Sequence, residues 1–249
     1  MNRNEFLEAL PLSHITLRLT NATLEICSDV VDDINVIVSG SDKEVQTLSI
    51  TVFNNQLLVE QPAVSRQKTP IAQSWLQVTI RLPQSWKGQI EAHTVSGWIT
   101  IRGASGTDLT LESVSGVIKA SYLLFLTAVM RTVTGDVRIS DMVCSKVSLG
   151  STSGAIVVAN SSMEQCALTS ITGNADIGLR SPFRSIRANS VTGDLTLSAP
   201  VGQCRVSHRC ISGHINTSDI SIVEQGDVSV TFNTVAGDLN MTRTSLPEA

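Results

Sequence analysis

Cys204, His208, Cys210 and His214 spell C-x3-H-x-C-x3-H, thiol and imidazole donors of the kind zinc takes. They fall on one extended segment, where same-face residues step about 7 Å apart. That spacing predicts a set split between core and surface, and no metal or other cofactor is assigned to it. Arg180, Arg184, Arg187, Arg205 and Arg209 fall on two successive repeats and could form a basic stripe for an anionic polymer; the plainer expectation is a solvated face. Asp108, Glu112, Asp136, Asp141, Glu164, Asp176 and Asp194 stand singly along the chain, which gives no sign of the paired carboxylates that glycoside hydrolysis needs. The sequence has no G-x-S-x-G, P-loop, H-E-x-x-H or dinucleotide fingerprint. No catalytic residue is assigned, and the chain reads as a non-enzyme.

What positions these residues is a repeat. T-V-S-G-W-I-T-I at Thr94 returns as S-V-S-G-V-I-K-A, T-V-T-G-D-V-R-I, S-T-S-G-A-I-V-V, S-I-T-G-N-A-D-I, S-V-T-G-D-L-T-L, C-I-S-G-H-I-N-T and T-V-A-G-D-L-N-M. Its glycines are Gly97, Gly116, Gly135, Gly154, Gly173, Gly193, Gly213 and Gly237, at spacings of 19, 19, 19, 19, 20, 20 and 24. A period in this range marks units that bury their apolar faces only against neighbours. Counting from each glycine, positions +2 and +4 are mostly apolar, as in Ile99/Ile101 and Val137/Ile139. That alternation describes a strand with one buried face. Apolar pairs at +12 and +14, such as Leu109/Leu111, give a second wall. Single apolar residues near +8 (Leu124, Val143, Met163, Phe183, Val201) give a third, and another precedes the glycine (Val114, Val133, Ile171, Val191, Ile211).

Three short walls per turn predict an all-β, single-stranded parallel β-solenoid with about 19–20 residues per coil, right-handed by the usual crossover preference. The glycines are structural corners that need φ > 0 or a close backbone approach. Ahead of them stands a hydroxyl column, Ser96, Ser115, Thr134, Ser153, Thr172, Thr192 and Ser212, placed to bond along the axis. Asp136, Asp194 and Asp238, one residue after their glycines, are expected to be exposed corner residues.

Residues 86–249 hold the eight glycine-cornered repeats, and residues 1–85 form an N-terminal β-rich cap without the glycine period. In the cap, residues 2–10 predict a short helix ended by Pro11. Strands follow at 14–20, 22–27, 34–38, 47–53, 56–60 and 76–82, with an Asn54-Asn55 hairpin turn and a loop over 61–74. The tail, T-R-T-S-L-P-E-A, is polar and covers the far end only lightly. Tyr122, Leu123, Phe125 and Leu126 replace polar corner residues of other copies and form a candidate interface, with Leu124 assigned to the core wall.

Net charge is −4, which gives no reason to expect nucleic acid. No apolar run approaches a membrane span. The N-terminus lacks an apolar core and a cleavage site, which predicts a cytoplasmic chain, with the cell envelope as the alternative. Five irregularly spaced cysteines read as reduced thiols.

V-T-I-R-L-P at 78–83, then T-V-S-G-W-I-T-I, then S/T-G-x-Φ-x-Φ repeats, resemble the bacterial adhesin-like β-strand-repeat family catalogued as domain of unknown function 4097. L-T-N-A-T-L-E-I at Leu19 to Ile26 resembles its opening segment, so the likeness runs from about His14 to the last repeat. It implies a β-solenoid with no established enzymatic activity. Three functions remain: a structural or protein-interaction module that binds partners or copies of itself, an exported cell-envelope adhesin, and a carbohydrate-active β-helix enzyme. Polysaccharide as a partner has no positive feature behind it. Carboxylates clustered on one face would favour the enzyme.

Overall fold

The computed structural model describes residues 1–9, 12–62 and 75–245. Residues 63–74, most of the loop expected at 61–74, lie outside them together with Leu10, Pro11 and the last four residues. The chain winds a parallel β-solenoid whose +2 column runs Ile99, Ile118, Val137, Ile156, Ala175 and Leu195 in register. A second wall stacks Ile90, Leu109, Ala128, Val147, Cys166 and Ile186. β-Branched and aliphatic residues on alternate positions drive this, because only the stack hides them: Ile99, Ile118 and Val137 are fully buried.

The third wall corrects the expectation in part. Met163, Phe183 and Val201 are buried as expected, but Leu124 and Val143 at +8 are exposed, and the inward residues of their rungs are Leu123, Phe125, Met142 and Cys144 at +7 and +9. The cause sits at +6, where Tyr122, Asp141 and Asn160 take φ of 54°, 53° and 46°. A left-handed residue bends the strand and inverts the alternation beyond it. A strictly period-two pattern misses that inversion. The apolar residues ahead of the glycines also differ from expectation: Val95, Val114, Val133 and Ile171 face solvent.

At the glycine corner a Cβ on Gly135 would sit less than 3.0 Å from the Gly116 carbonyl oxygen, and one on Gly154 would meet the Gly135 carbonyl in the same way. Close approach, more than φ, excludes side chains here, although Gly173 and Gly193 also carry φ of 135° and 134°. The hydroxyls ahead of the glycines stitch rungs together. Ser115 Oγ donates to the Val95 carbonyl at 3.2 Å, and Thr172 Oγ1 donates to the Thr152 carbonyl at 3.3 Å.

Both ends depart from a simple sequential stack. Ser229–Asn233 lies between Ser185–Asn189 and Gln203–Arg209, and Leu239–Arg243 lies between Leu195–Ala199 and Ile215–Ser218. The Gly237 rung is therefore inserted between those of Gly193 and Gly213, which explains the 24-residue final interval: the chain skips a level, turns and comes back. At the N-terminus, His14–Asn21 and Thr23–Asp29 likewise lie between Gln56–Glu60/Leu76–Pro83 and Gly88–Ser96/Ile99–Arg102. Parallel stacking thus runs across residue 85.

Asn2–Leu7, expected as a helix, is a strand antiparallel to Ile34–Gly40, which is itself antiparallel to Leu76–Pro83. Its alternating half-burial suits a sheet edge, and Phe6 points outward. The described helix is Asp42–Thr47, absent from the sequence expectation, with Val45 as its buried anchor. Asn54 and Asn55, at φ of 49° and 63°, make the tight turn joining Ser49–Phe53 to Gln56–Glu60.

Candidate interaction groove

Between the second wall and the glycine corner the surface is concave. A groove of about 1050 Å³ runs along the axis there, from Glu60 and Arg18 in the N-terminal coils across five glycine-cornered rungs. Every nineteenth residue falls into a column, so the groove repeats its chemistry level by level. One side is apolar: Val95, Val114, Val133 and Ile171, with Thr152 breaking the series. Beneath lie buried hydroxyls, Thr94, Ser113, Thr132, Ser151 and Ser170. Thr132 Oγ1 and Ser151 Oγ each donate at 3.2 Å to the glycine carbonyl of the rung below, Gly116 and Gly135.

The other side is charged. His93, Glu112 and Arg131 occupy one column. The His93 imidazole bridges two carboxylates, with Nε2 2.7 Å from Glu91 Oε1 and Nδ1 3.1 Å from Glu112 Oε2. Arg131 Nη1 stands 3.9 Å from Glu112 Oε1. All four groups are partly open to water, where such pairs contribute about 0–1 kcal/mol each. They set the charge pattern of the rim more than they hold the fold. Sequence reasoning left Glu112 as an isolated acid; the signal that finds it is the constant step of 19 between His93, Glu112 and Arg131.

Other acids also belong to axial ladders. Asp108 accepts from Thr127 Oγ1 at 2.5 Å and Gln89 Nε2 at 2.9 Å, and the Thr127 hydroxyl foremost holds its carboxyl below the usual carboxylate range. Asp136 is also lowered, first by the Arg138 guanidinium and then by the Ala155 amide of the next rung. Asp194 and Asp238 accept the Asp238 and His214 amides at 2.8 Å. These corner residues are partners in the stack as well as partly exposed.

The other sequence-assigned sites come apart. Cys204 is buried, His208 stacks on Phe232 at 5.4 Å between ring centroids, and His214 points outward near Asp238. Among the described residues no three His, Cys, Asp or Glu side chains converge to hold a metal ion. The five arginines do not occupy adjacent levels, because the inserted Ser229–Asn233 separates Arg187 from Arg205 and Arg209. Arg180 Nε donates to Ser162 Oγ at 3.1 Å, while Arg184 lines a separate depression of about 640 Å³ with Lys146, Arg187 and Asp227. Of the proposed interface, Leu123 and Phe125 are core residues. Tyr122, Leu126 and the unexpected Leu124 are the exposed ones, with Arg102 stacked over the Tyr122 ring. All five cysteines are free; burial pushes the Cys144 thiol up to about 11 and the Cys166 thiol up to about 12, which makes both poor nucleophiles.

A parallel solenoid bearing an axial groove is a repeat scaffold. The chain belongs to the family described as Toastrack DUF4097, whose model matches residues 12–246. Three of the solved structures that share the fold illustrate the likeness. An adhesin candidate from Bacteroides fragilis is 17% identical with a TM-score of 0.56, covering 96% of this chain and 97% of its own. A lipid-binding candidate from Parabacteroides distasonis is 14% identical with a TM-score of 0.64, covering 97% and 96%. An adhesin candidate from the same species is 7% identical with a TM-score of 0.60, covering 97% of each. No curated protein matches this chain. No helix among the described residues is long and apolar enough to cross a membrane.

Proposed function

We propose that this protein is a non-catalytic, adhesin-like interaction module whose groove receives an extended segment of a partner protein. The carrying observation is the outward column Val95, Val114 and Val133, apolar side chains held in water on three successive rungs, with Ile171 two rungs beyond, opposite the Glu91–His93–Glu112–Arg131 rim. Isolated exposed valines need no explanation, but three in a row along a groove mark an interaction surface. The adhesin candidates among the structural neighbours are consistent with this reading. Glu91 and Glu112 are the carboxylates a carbohydrate-active enzyme would use, yet both are engaged by one imidazole and open to water. A glycosidase acid is instead raised by a dry pocket.

Panning a random peptide library on the wild-type protein should enrich extended peptides with apolar and charged residues. Hydrogen exchange should place their protection on 93–95, 112–114 and 131–133. Val133→Asp, at a site already 44% exposed, leaves folding intact and should weaken those peptides about tenfold or more. Peptides that bind Val133→Asp as well as wild type would rule the groove out. Release of reducing ends from soluble polysaccharides, abolished by Glu112→Gln, would overturn the non-catalytic reading.

A further inference from the structure

The two ends of the solenoid are finished differently. At the N-terminal end the parallel stack is extended by the antiparallel strands Asn2–Leu7 and Ser49–Phe53. The half-buried side of Asn2–Leu7 carries the Arg3–Glu5 ion pair, and Arg3 Nη1 donates to the Leu48 carbonyl at 3.0 Å. Charges turned inward on an edge strand are a standard block against edge-to-edge pairing.

The C-terminal end has no such device at Ile215–Ser218. This strand pairs with Leu239–Arg243 on one side, and no described strand pairs with the other. It contains no charge and no proline. Its inward residue, Ile215, is 40% exposed, whereas Ile99, Ile118, Val137, Ile156, Leu195 and Leu239 in the same column are at 0–1%. Elsewhere at this end, Ile211 and Ile222 are 85% and 50% exposed. Among the described residues the end therefore offers both an unpaired backbone edge and a slice of open core.

We infer that this edge pairs with the same edge of a second copy, giving a closed tail-to-tail dimer. A two-fold axis makes the paired strands antiparallel, a pairing that satisfies the free backbone groups of both copies at once. The local charges favour a copy of this chain over an unrelated strand. With the axis midway between Asn216 and Thr217, His214 of each copy lies opposite Asp219 of the other, and the uncharged Ile215–Ser218 lies between. The pattern is self-complementary. A two-fold contact uses up both of the edges that make it, so tail-to-tail pairing through this strand stops at two. The inference uses a different surface from the groove and stands or falls separately.

Sedimentation velocity and native mass spectrometry across the micromolar range should show a reversible species of twice the 26.6 kDa chain. His214→Glu, at a side chain 85% exposed and 3.6 Å from Asp238 of its own chain, should raise the dimer dissociation constant about tenfold by setting two like charges together across the axis, and His214→Glu with Asp219→Lys should restore it. Ile215→Lys should abolish the dimer, with circular dichroism confirming the fold. Phe6→Ser at the other end should change nothing. A chain that stays at 26.6 kDa throughout, a series of growing oligomers, or a dimer lost in Phe6→Ser but kept in His214→Glu would each overturn the proposal.

Discussion

Gly135→Val is expected to lower the melting temperature by roughly 6–12 °C, although it adds only a small apolar side chain at a surface corner. The added Cβ would meet the Gly116 carbonyl oxygen, a backbone atom fixed by the rung beneath, so the two levels must separate or the corner must deform. Overpacking of this kind costs about 3 kcal/mol, and a chain of this size loses about 2–4 °C per kcal/mol. Gly150→Ala is the control. Its Cβ would face the Arg131 Cγ at 3.3 Å, the stem of a flexible side chain that can move. Its effect should stay within about 0.5 kcal/mol. Thermal melts of the two variants check the point, and equal midpoints would show that the glycine column is not a backbone contact.

Removing residues 227–249 should cost two rungs where a sequential stack would lose one. The deleted segment contains Ser229–Asn233 and Leu239–Arg243, which sit between the Gly193 rung and the Gly213 rung. Without them, Gln203–Arg209 and Ile215–Ser218 lose the strands they pair with, while Phe232 and Met241, both 1% exposed, leave the core. Repeat arrays are stabilised mainly by nearest-neighbour interfaces, so the unpaired level cannot hold itself. Amide exchange should then become fast over 203–222 and intermediate over 185–199, with 118–172 unchanged. Protection retained over 203–222 would mean that the last rung does not depend on the inserted one.

Much of this was legible in the sequence, because a solenoid writes its architecture into the spacing of its residues. The glycine period, the +2/+4 wall and the +12/+14 wall needed only alternation and counting. Position +8 failed for Leu124 and Val143 for a local reason: Tyr122, Asp141 and Asn160 adopt left-handed backbone at +6, a conformation that Asn and Asp favour but Tyr does not, so no shared residue type marks the column. Leu123 and Phe125 were therefore placed on the wrong face, and Leu124 with them. The 24-residue interval was visible, but spacing alone does not reveal that the final coil turns back between two earlier ones.

The groove was hidden differently. Val114, Val133 and Ile171 look like core in a linear reading, because apolar residues beside a corner usually are. They stay outside because the wall already buries the hydroxyls next to them, Ser113, Thr132 and Ser170. The polar ladders, His93–Glu112 and Gln89–Asp108–Thr127, appear only when residues are compared down columns at the period of the repeat.

Disulfide trapping reports the order of the rungs most directly. Thr196 pairs in register with Asn240, and Asn240 pairs with Asn216, all on one outward column. Cysteines at 196 and 240 would lie one strand spacing apart, within bridging reach, while cysteines at 196 and 216 would lie about 9.6 Å apart, beyond it. Under mild oxidation Thr196→Cys/Asn240→Cys should crosslink in high yield and Thr196→Cys/Asn216→Cys should not. The reverse result would mean that the coils follow one another in chain order, and the interlocked stack described above would be wrong.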